Sequence, residues 1–186
     1  SGTSSSGMSR DEIYKYLEEE EIKYRAVEAA TKNMENSYRD KIRQRVALER
    51  QLGKLDRNCS SGDLSVTAQE SVIASLQEKL DTALANNPSL SEDIIASHLA
   101  GIDAAKGALE RIKGERDAAY AERDAFVTGT LNPQKALVEQ AFHEYEAQYS
   151  AYVAARNAMI QAQDSMGFTQ VAFPHAEPSE PSALPR

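Results

Sequence analysis

The side chains best suited to metal binding or proton transfer are the three histidines, and they lie far apart in the sequence. His98, His143 and His175 each stand alone. A di-iron helical bundle needs Glu-x-x-His on two helices, whereas Glu139 precedes His143 by four residues. Zinc sites typically combine cysteines with closely spaced histidine pairs. The histidines therefore predict no metal site.

Groups that would bind phosphate or act as a nucleophile are also missing from the sequence pattern. There is no glycine-rich loop following a strand and no Gly-x-Ser-x-Gly elbow. The single cysteine, Cys59, cannot form an internal disulfide, which favours a reducing setting and an incidental free thiol. We predict no catalytic or cofactor-binding residue, no cofactor, no small-molecule substrate and no enzymatic activity.

Charge is the next chemical feature, and it is unevenly distributed along the first third of the chain. An acidic run comprises Glu18, Glu19, Glu20 and Glu21. Between residues 39 and 57, seven basic side chains outnumber three acidic ones: Arg39, Lys41, Arg43, Arg45, Arg50, Lys54 and Arg57. Both sets are candidate partner surfaces.

Three interpretations of the basic run stay open. Acidic helices later in the chain would cover it, or unlike charged ends of neighbouring subunits would meet, or it would bind nucleic acid. The chain carries a net charge of −8 with a pI near 5.0, and nucleic-acid binding needs a cationic footprint. No aromatic residue lies among these basic residues to stack on bases. Nucleic acid is therefore the least favoured partner.

The element that carries both charged runs is a predicted helix over residues 9–57. Ser9 and Glu12 form a capping box at its start, and apolar residues recur at spacings of 3, 4 and 7. At about 1.5 Å per residue such a helix would be roughly 70 Å long. A strict heptad would place Glu20, Lys41 and Arg45 in its seam, which favours a bundle over a leucine zipper.

Three more helices are predicted, over residues 66–86, 90–127 and 133–166. The turn-forming residues 58–63 predict a break after the first helix, and capping boxes at 67–70 and 89–92 predict new starts. Pro88 ends the second helix. Gly129 as a C-cap and Asn132 with Pro133 as a helix start predict the sharpest boundary in the chain.

Small and aromatic residues predict how these helices pack. Gly107 and Gly114 share one face of the third helix, which favours close approach of another helix, with a hinge as the alternative. Tyrosines cluster on the first and last helices and predict packing between these two. They are Tyr14, Tyr16, Tyr24, Tyr38, Tyr145, Tyr149 and Tyr152.

Both ends of the chain are predicted to lie outside the helical domain of residues 9–167. Residues 1–8 are predicted to be a flexible arm or the remnant of a cleaved tag. Residues 168–173 predict a short extended patch. Residues 168–186 are predicted to be an extended Pro-rich tail, which the four prolines from residue 174 onward predict to be mobile, with docking as a peptide ligand as an alternative role.

The predicted fold class is all-α, an elongated antiparallel helical bundle or coiled-coil hairpin of about four helices. The predicted function is a structural or assembly protein that self-associates or bridges protein components of a larger complex, such as a phage virion. The alternatives are a helical binding module (a secretion adaptor, chaperone or regulator) and nucleic-acid binding through the basic run. With neither a signal peptide nor an apolar run of about 20 residues, we expect a soluble protein, cytoplasmic or within a particle.

Overall fold

The computed structural model describes residues 7–167 and 177–186. Three α-helices make up most of this part: α1 (Arg10–Asn86), α2 (Glu92–Phe126) and α3 (Asn132–Ser165). A π-helical turn (Val127–Leu131) joins α2 to α3, and a 3-10 turn covers Pro181–Ala183. The described residues contain no strand. The all-α class is confirmed, whereas the predicted residues 1–6 of the arm and the patch at 168–173 lie outside the described residues.

The predicted break at residues 58–63 is wrong, because α1 continues through them for 77 residues. Poor helix formers such as Ser, Asn and Gly each cost up to about 1 kcal/mol in a helix. Burying an apolar side chain contributes about 1.5–3 kcal/mol, and Leu55, Cys59 and Val66 are all buried along this stretch. The hydroxyl of Thr67 donates to the carbonyl of Asp63 at 3.1 Å, so Thr67 lies inside the helix and does not cap one.

The other helix ends agree with the sequence more closely. Ser9 caps α1 by accepting the amide of Glu12 at 3.3 Å, and α1 ends two residues before Pro88. The cap of α2 is Ser91, which accepts the amide of Ile94 at 3.4 Å, and not the predicted Ser89. The difference is within the usual uncertainty of helix boundaries.

The predicted boundary at residues 128–133 is a continuous helical joint. The amide of Asn132 donates to the carbonyl of Val127, five residues back, and Asn132 has helical dihedrals instead of those of an N-cap. Pro133 has no amide proton, and its ring would clash with the carbonyl of Gly129 in a regular α-helix. The wider π-helical turn accommodates the proline without ending the helix.

The chain divides into two compact units that share α1. Unit 1 comprises residues 1–46 and 133–186, and unit 2 comprises residues 47–132. In unit 1, α1 packs antiparallel to α3, since Tyr24 meets Tyr152 while Tyr38 meets Phe142. In unit 2, α1 packs antiparallel to α2 across the short loop at 87–91.

The core of unit 1 is aromatic. Its largest buried cluster contains Tyr38, Ile42, Val138, Ala141, Phe142, Tyr145 and Leu184, and a second contains Tyr24, Tyr152 and Met159. The ring centroids of Tyr24 and Tyr152 are 5.9 Å apart, and the parallel rings of Tyr38 and Tyr145 are 6.4 Å apart. The predicted tyrosine packing between the first and last helices is confirmed for these four residues, whereas Tyr14 and Tyr16 are exposed.

The seam of unit 2 is narrow and regularly spaced. On α1 the buried positions after Leu55 are Cys59, Val66, Ile73 and Leu80, which lie seven residues apart. On α2 only Ile102 and Ala105 are fully buried, and the partly buried positions continue at alternating steps of three and four. Polar contacts between the two helices include a hydrogen bond from Gln69 to the carbonyl of Ala105 at 3.0 Å and the pairing of Arg123 with Asp56.

Candidate functional site

The chain's own C-terminal segment, residues 177–186, occupies a groove between α1 and α3 of unit 1. Pro178 and Leu184 are buried there, and Leu184 joins the aromatic cluster around Tyr38 and Phe142. Glu180 and Leu184 have extended backbone dihedrals on either side of the 3-10 turn. The sequence correctly predicts an extended backbone here, but it predicts mobility where the structure shows a packed segment.

Three side chains of the groove bind the main chain of this segment. The carboxylate of Glu35 accepts the amide of Ser179 at 3.0 Å. The hydroxyls of Tyr145 and Tyr38 donate to the carbonyls of Ser179 and Pro185, respectively. Glu35 is nine-tenths buried and both tyrosines are fully buried, so these bonds form away from bulk water, where a lost partner is costly.

Charged contacts mark both ends of the segment. Glu177 pairs with Arg156 of α3 at 3.0 Å, and Arg186 pairs with Glu139 of α3 at 2.6 Å. The guanidinium of Arg186 also lies 4.2 Å from the centroid of the Phe142 ring, within the range of a cation–π contact. The hydrogen bond from Arg186 lowers the pKa of the Glu139 carboxyl. The two pairs have opposite polarity and therefore set the direction of the segment in the groove.

A buried polar network extends the groove along α1. The Tyr24 hydroxyl donates to Glu28 at 3.1 Å and lies 3.3 Å from the Tyr152 hydroxyl. Thr31, which is fully buried, donates to the carbonyl of Val27 and accepts from the Gln148 amide at 3.1 Å. Burial, with the Tyr152 hydrogen bond second, raises the pKa of Tyr24, and burial likewise raises that of Tyr145.

The acidic run lies at the surface of α1. Glu18, Glu19 and Glu21 are exposed and Glu20 is half-buried. Glu20 pairs with Lys23 at 3.2 Å, and Glu21 approaches Arg25 at 3.8 Å. Exposed pairs within one helix contribute only a few tenths of a kcal/mol, about 0.3–0.5. These glutamates form a solvated face, which is still available to a partner.

The predicted basic surface falls in both units, and its members have different surroundings. In unit 1, Arg39 pairs with Glu35 at 3.7 Å and also donates a hydrogen bond to the hydroxyl of Ser179. Lys41 donates to Ser37, and Arg43 pairs with Asp40. Arg45 is half-buried. In unit 2, Arg50, Lys54 and Arg57 are exposed. The acids that pair with Arg39 and Arg43 belong to α1 itself, and not to the later helices that one of the three interpretations offers as cover.

The outer side of α2 carries a second regular row of positions, opposite its buried seam. These positions are separated by alternating steps of four and three residues, all are exposed, and all but one are Ala or Gly. We call this row the small-residue stripe: Ala100, Ala104, Gly107, Arg111, Gly114, Ala118, Ala121 and Ala125. A β-carbon added at Gly107 or Gly114 would meet nothing within 4 Å. The close helix approach that these glycines predict is therefore not made by the described residues.

One glycine that the sequence placed in a loop does make a close approach. A β-carbon at Gly62 would lie 3.1 Å from the β- and γ-carbons of Arg116 and 3.2 Å from its α-carbon. Nearby, Tyr120 donates to Asp63 at 2.6 Å, and the Cys59 thiol is buried, which raises its pKa. Within residues 58–63, Cys59 and Gly62 are therefore the positions that face α2, and the helical period of Leu55, Cys59 and Val66 was the signal that this stretch is helical.

The histidines have unremarkable surroundings. His143 is exposed and lies 3.3 Å from Glu139 and 3.1 Å from Glu146, His98 is half-buried, and His175 lies outside the described residues. Within the described ranges, no group of three or more His, Cys, Asp and Glu side chains is arranged to hold a metal ion. Of the helices that the structure describes, none has an apolar stretch long enough to cross a bilayer.

Comparison with known protein families, curated proteins and solved structures gave no match. Two features of the described residues are candidates for binding a partner: the small-residue stripe on α2 and the groove that holds residues 177–186.

Proposed function

We propose that this chain is a non-enzymatic assembly protein whose α2 helix packs against a helix of another subunit. The observation that carries the proposal is the small-residue stripe, which is exposed along eight positions of α2 at heptad-like spacing. Small side chains allow two helix backbones to approach closely, and a second seam on the outer side of a helix suits a further helix.

The cost of the glycines supports this interpretation. Each glycine in a helix interior costs about 1 kcal/mol relative to alanine. At Gly107 and Gly114 nothing within the described residues requires the absence of a side chain. A helix of another subunit, packed closely against these positions, would leave no room for a side chain and would explain the glycines.

The seam on the inner side of α2 supports the same function. We infer that α1 and α2 of unit 2 form a two-stranded antiparallel coiled coil, because Cys59, Val66, Ile73 and Leu80 repeat at seven residues. Two helices bury only a narrow strip and leave most of their surface exposed. Such a pair of helices suits a component that bridges or spaces other proteins.

The test compares self-association of the wild-type chain with that of a Gly107→Gln/Gly114→Gln double variant. Glutamine favours helix over glycine, so the variant should be at least as helical, while its long side chains would hold a partner helix away. We expect sedimentation velocity to show that the double variant dissociates at concentrations about tenfold above wild type, equivalent to about 1.4 kcal/mol.

The matched control is Gly101→Gln, on the same helix but about a third of a turn around the helix axis from Gly107 and Gly114. Gly101 is also exposed with nothing within 4 Å of an added β-carbon. This variant should associate as the wild type does. A wild-type chain that stays monomeric at every concentration, or a double variant that associates normally, would contradict the proposal.

A further inference from the structure

The groove of unit 1 recognises residues 177–186 in the way that proteins recognise extended peptide ligands. Glu35, Tyr38 and Tyr145 bind its main chain, while buried Leu184 supplies a side-chain anchor. Main-chain hydrogen bonds combined with side-chain pockets are a recurrent mode of peptide capture. These contacts need an extended peptide, and none of them needs that peptide to belong to the same chain.

The segment itself is suited to act as a ligand. Pro178, Pro181 and Pro185 restrict its backbone before it binds, which reduces the conformational entropy lost on docking. Its contacts are concentrated in ten residues, from Glu177 at the Arg156 end to Arg186 at the Glu139 end. The groove therefore binds a short linear segment and not an irregular surface.

The geometry points to this groove as a site for residues 177–186 of a second copy of the chain, so that subunits exchange their C-terminal segments. Exchange within a pair of identical chains preserves every contact, so only concentration and the connecting chain decide between the two arrangements. This inference rests on the proposed function as an assembly protein and names the partner at a second surface.

The charge pattern restricts the groove to a ligand with the sequence of residues 177–186. The groove has a basic group at one end, Arg156, and an acidic group at the other, Glu139. A ligand must therefore present an acid, an anchoring leucine and then a base at matching spacing, which Glu177, Leu184 and Arg186 do. Every copy of the chain carries this sequence.

The experiment uses full-length chains in which Glu139→Cys and Arg186→Cys are combined with Cys59→Ala. Chains made with light and heavy nitrogen are unfolded together, refolded together and treated with a short bismaleimide. Mass spectrometry then determines whether each 139–186 cross-link joins chains of the same or of different isotope. Joint refolding ensures that slow release of the docked segment cannot hide exchange.

We expect mixed-isotope 139–186 cross-links whose share increases with protein concentration. The matched variant, which adds Leu184→Asp, should lose these cross-links because a carboxylate cannot replace leucine in the apolar cluster. Only same-isotope cross-links at high concentration, no 139–186 cross-link at all, or mixed cross-links that persist with Leu184→Asp would each overturn the inference.

The two proposals fail separately. Exchange of segments is measured by cross-linking between residues 139 and 186. Assembly through α2 is measured by sedimentation of the Gly107→Gln/Gly114→Gln variant. If cross-links stay within one chain while wild-type chains associate and the glycine variant does not, then the groove is a site for the chain's own segment and the assembly proposal stands.

Discussion

At the scale of single residues, the tyrosine hydroxyls have the most consequential positions. Tyr24, Tyr38, Tyr145 and Tyr152 are among the most deeply buried large side chains of the described residues. A buried hydroxyl needs a hydrogen-bond partner, and the partners here are Glu28, the carbonyl of Pro185, the carbonyl of Ser179 and a second tyrosine. Each tyrosine thus contributes apolar surface to the core and one directional bond at its edge.

These tyrosines predict a loss of stability at alkaline pH. Burial raises the pKa of Tyr24 and of Tyr145 above the ordinary value near 10. The unfolded chain therefore loses these protons at a lower pH than the native chain does. The stabilisation that the buried, protonated tyrosines contribute to the free energy of unfolding should therefore be fully present below about pH 10 and should decrease as the pH rises further.

Urea unfolding followed by circular dichroism at a series of pH values would measure this effect. Tyr24→Phe removes one of the responsible groups, so its stability should decline less steeply above about pH 10 than that of the wild type. Tyr14→Phe, at a half-exposed side chain, is the matched control. An equal decline in wild type and Tyr24→Phe would refute the assignment.

At the scale of the elements, α1 shows how packing can override weak local helix preference. Residues 58–63 contain asparagine, serine, glycine and aspartate, yet they lie in the middle of one helix. A β-carbon at Gly62 would crowd the α-, β- and γ-carbons of Arg116, and Cys59 is buried in the same narrow seam. Two of the residues that resemble a turn in sequence are thus small at positions where α2 packs against α1.

Gly62 and Gly107 should therefore respond differently to the same substitution. Gly107→Ala should raise the free energy of unfolding by about 1 kcal/mol, because the site is open. Gly62→Ala makes the same gain but forces a contact near 3.1 Å with Arg116. Crowding of this kind costs about 1–3 kcal/mol, so its net effect should be neutral to destabilising.

Equilibrium urea unfolding at low protein concentration would compare the two variants with each other and with wild type. Low concentration keeps association through the small-residue stripe from contributing to the measured free energy. If both alanine variants were stabilised equally, the close approach at Gly62 would not be a constraint on the sequence.

At the scale of the whole molecule, the two units are built from different kinds of core. Unit 1 buries tyrosines, a phenylalanine and a docked segment, whereas unit 2 buries mostly aliphatic side chains in the narrow seam between α1 and α2. Local stability follows the amount of buried apolar surface and the density of contacts around each hydrogen bond. One continuous helix, α1, takes part in both cores.

Hydrogen exchange should therefore change along α1. Amides of residues 24–42 should exchange more slowly than those of residues 60–83, because the aromatic clusters stabilise the former. Exchange measured by mass spectrometry on peptides from both parts would resolve this. Leu184→Asp should accelerate exchange near Tyr38 and leave residues 60–83 unchanged, and uniform protection along α1 would contradict the two-core description.

Local patterns in the sequence were sufficient for the helical class, the start of α1 at Ser9, its end before Pro88 and the tyrosine packing of unit 1. These features depend on capping groups, on proline and on the spacing of apolar residues, all of which act over a few positions. The same local reasoning was wrong at residues 58–63, where it treated weak helix formers as a boundary. At residues 128–133 it placed the change of element correctly, since α2 ends at Phe126 and α3 begins at Asn132, but it predicted a break where the structure has a π-helical turn.

Tertiary structure alone decided three further features of the described residues. Burial along the seam with α2 keeps α1 continuous, and the π-helical turn lets the helix pass Pro133. Residues 177–186 dock because hydroxyls and carboxylates on two separate helices bind them. Each involves groups brought together from distant positions, so that their free energy is invisible to any short window of sequence. The sequence by itself determined which helices can form, and long-range packing determined where they continue and what they bind.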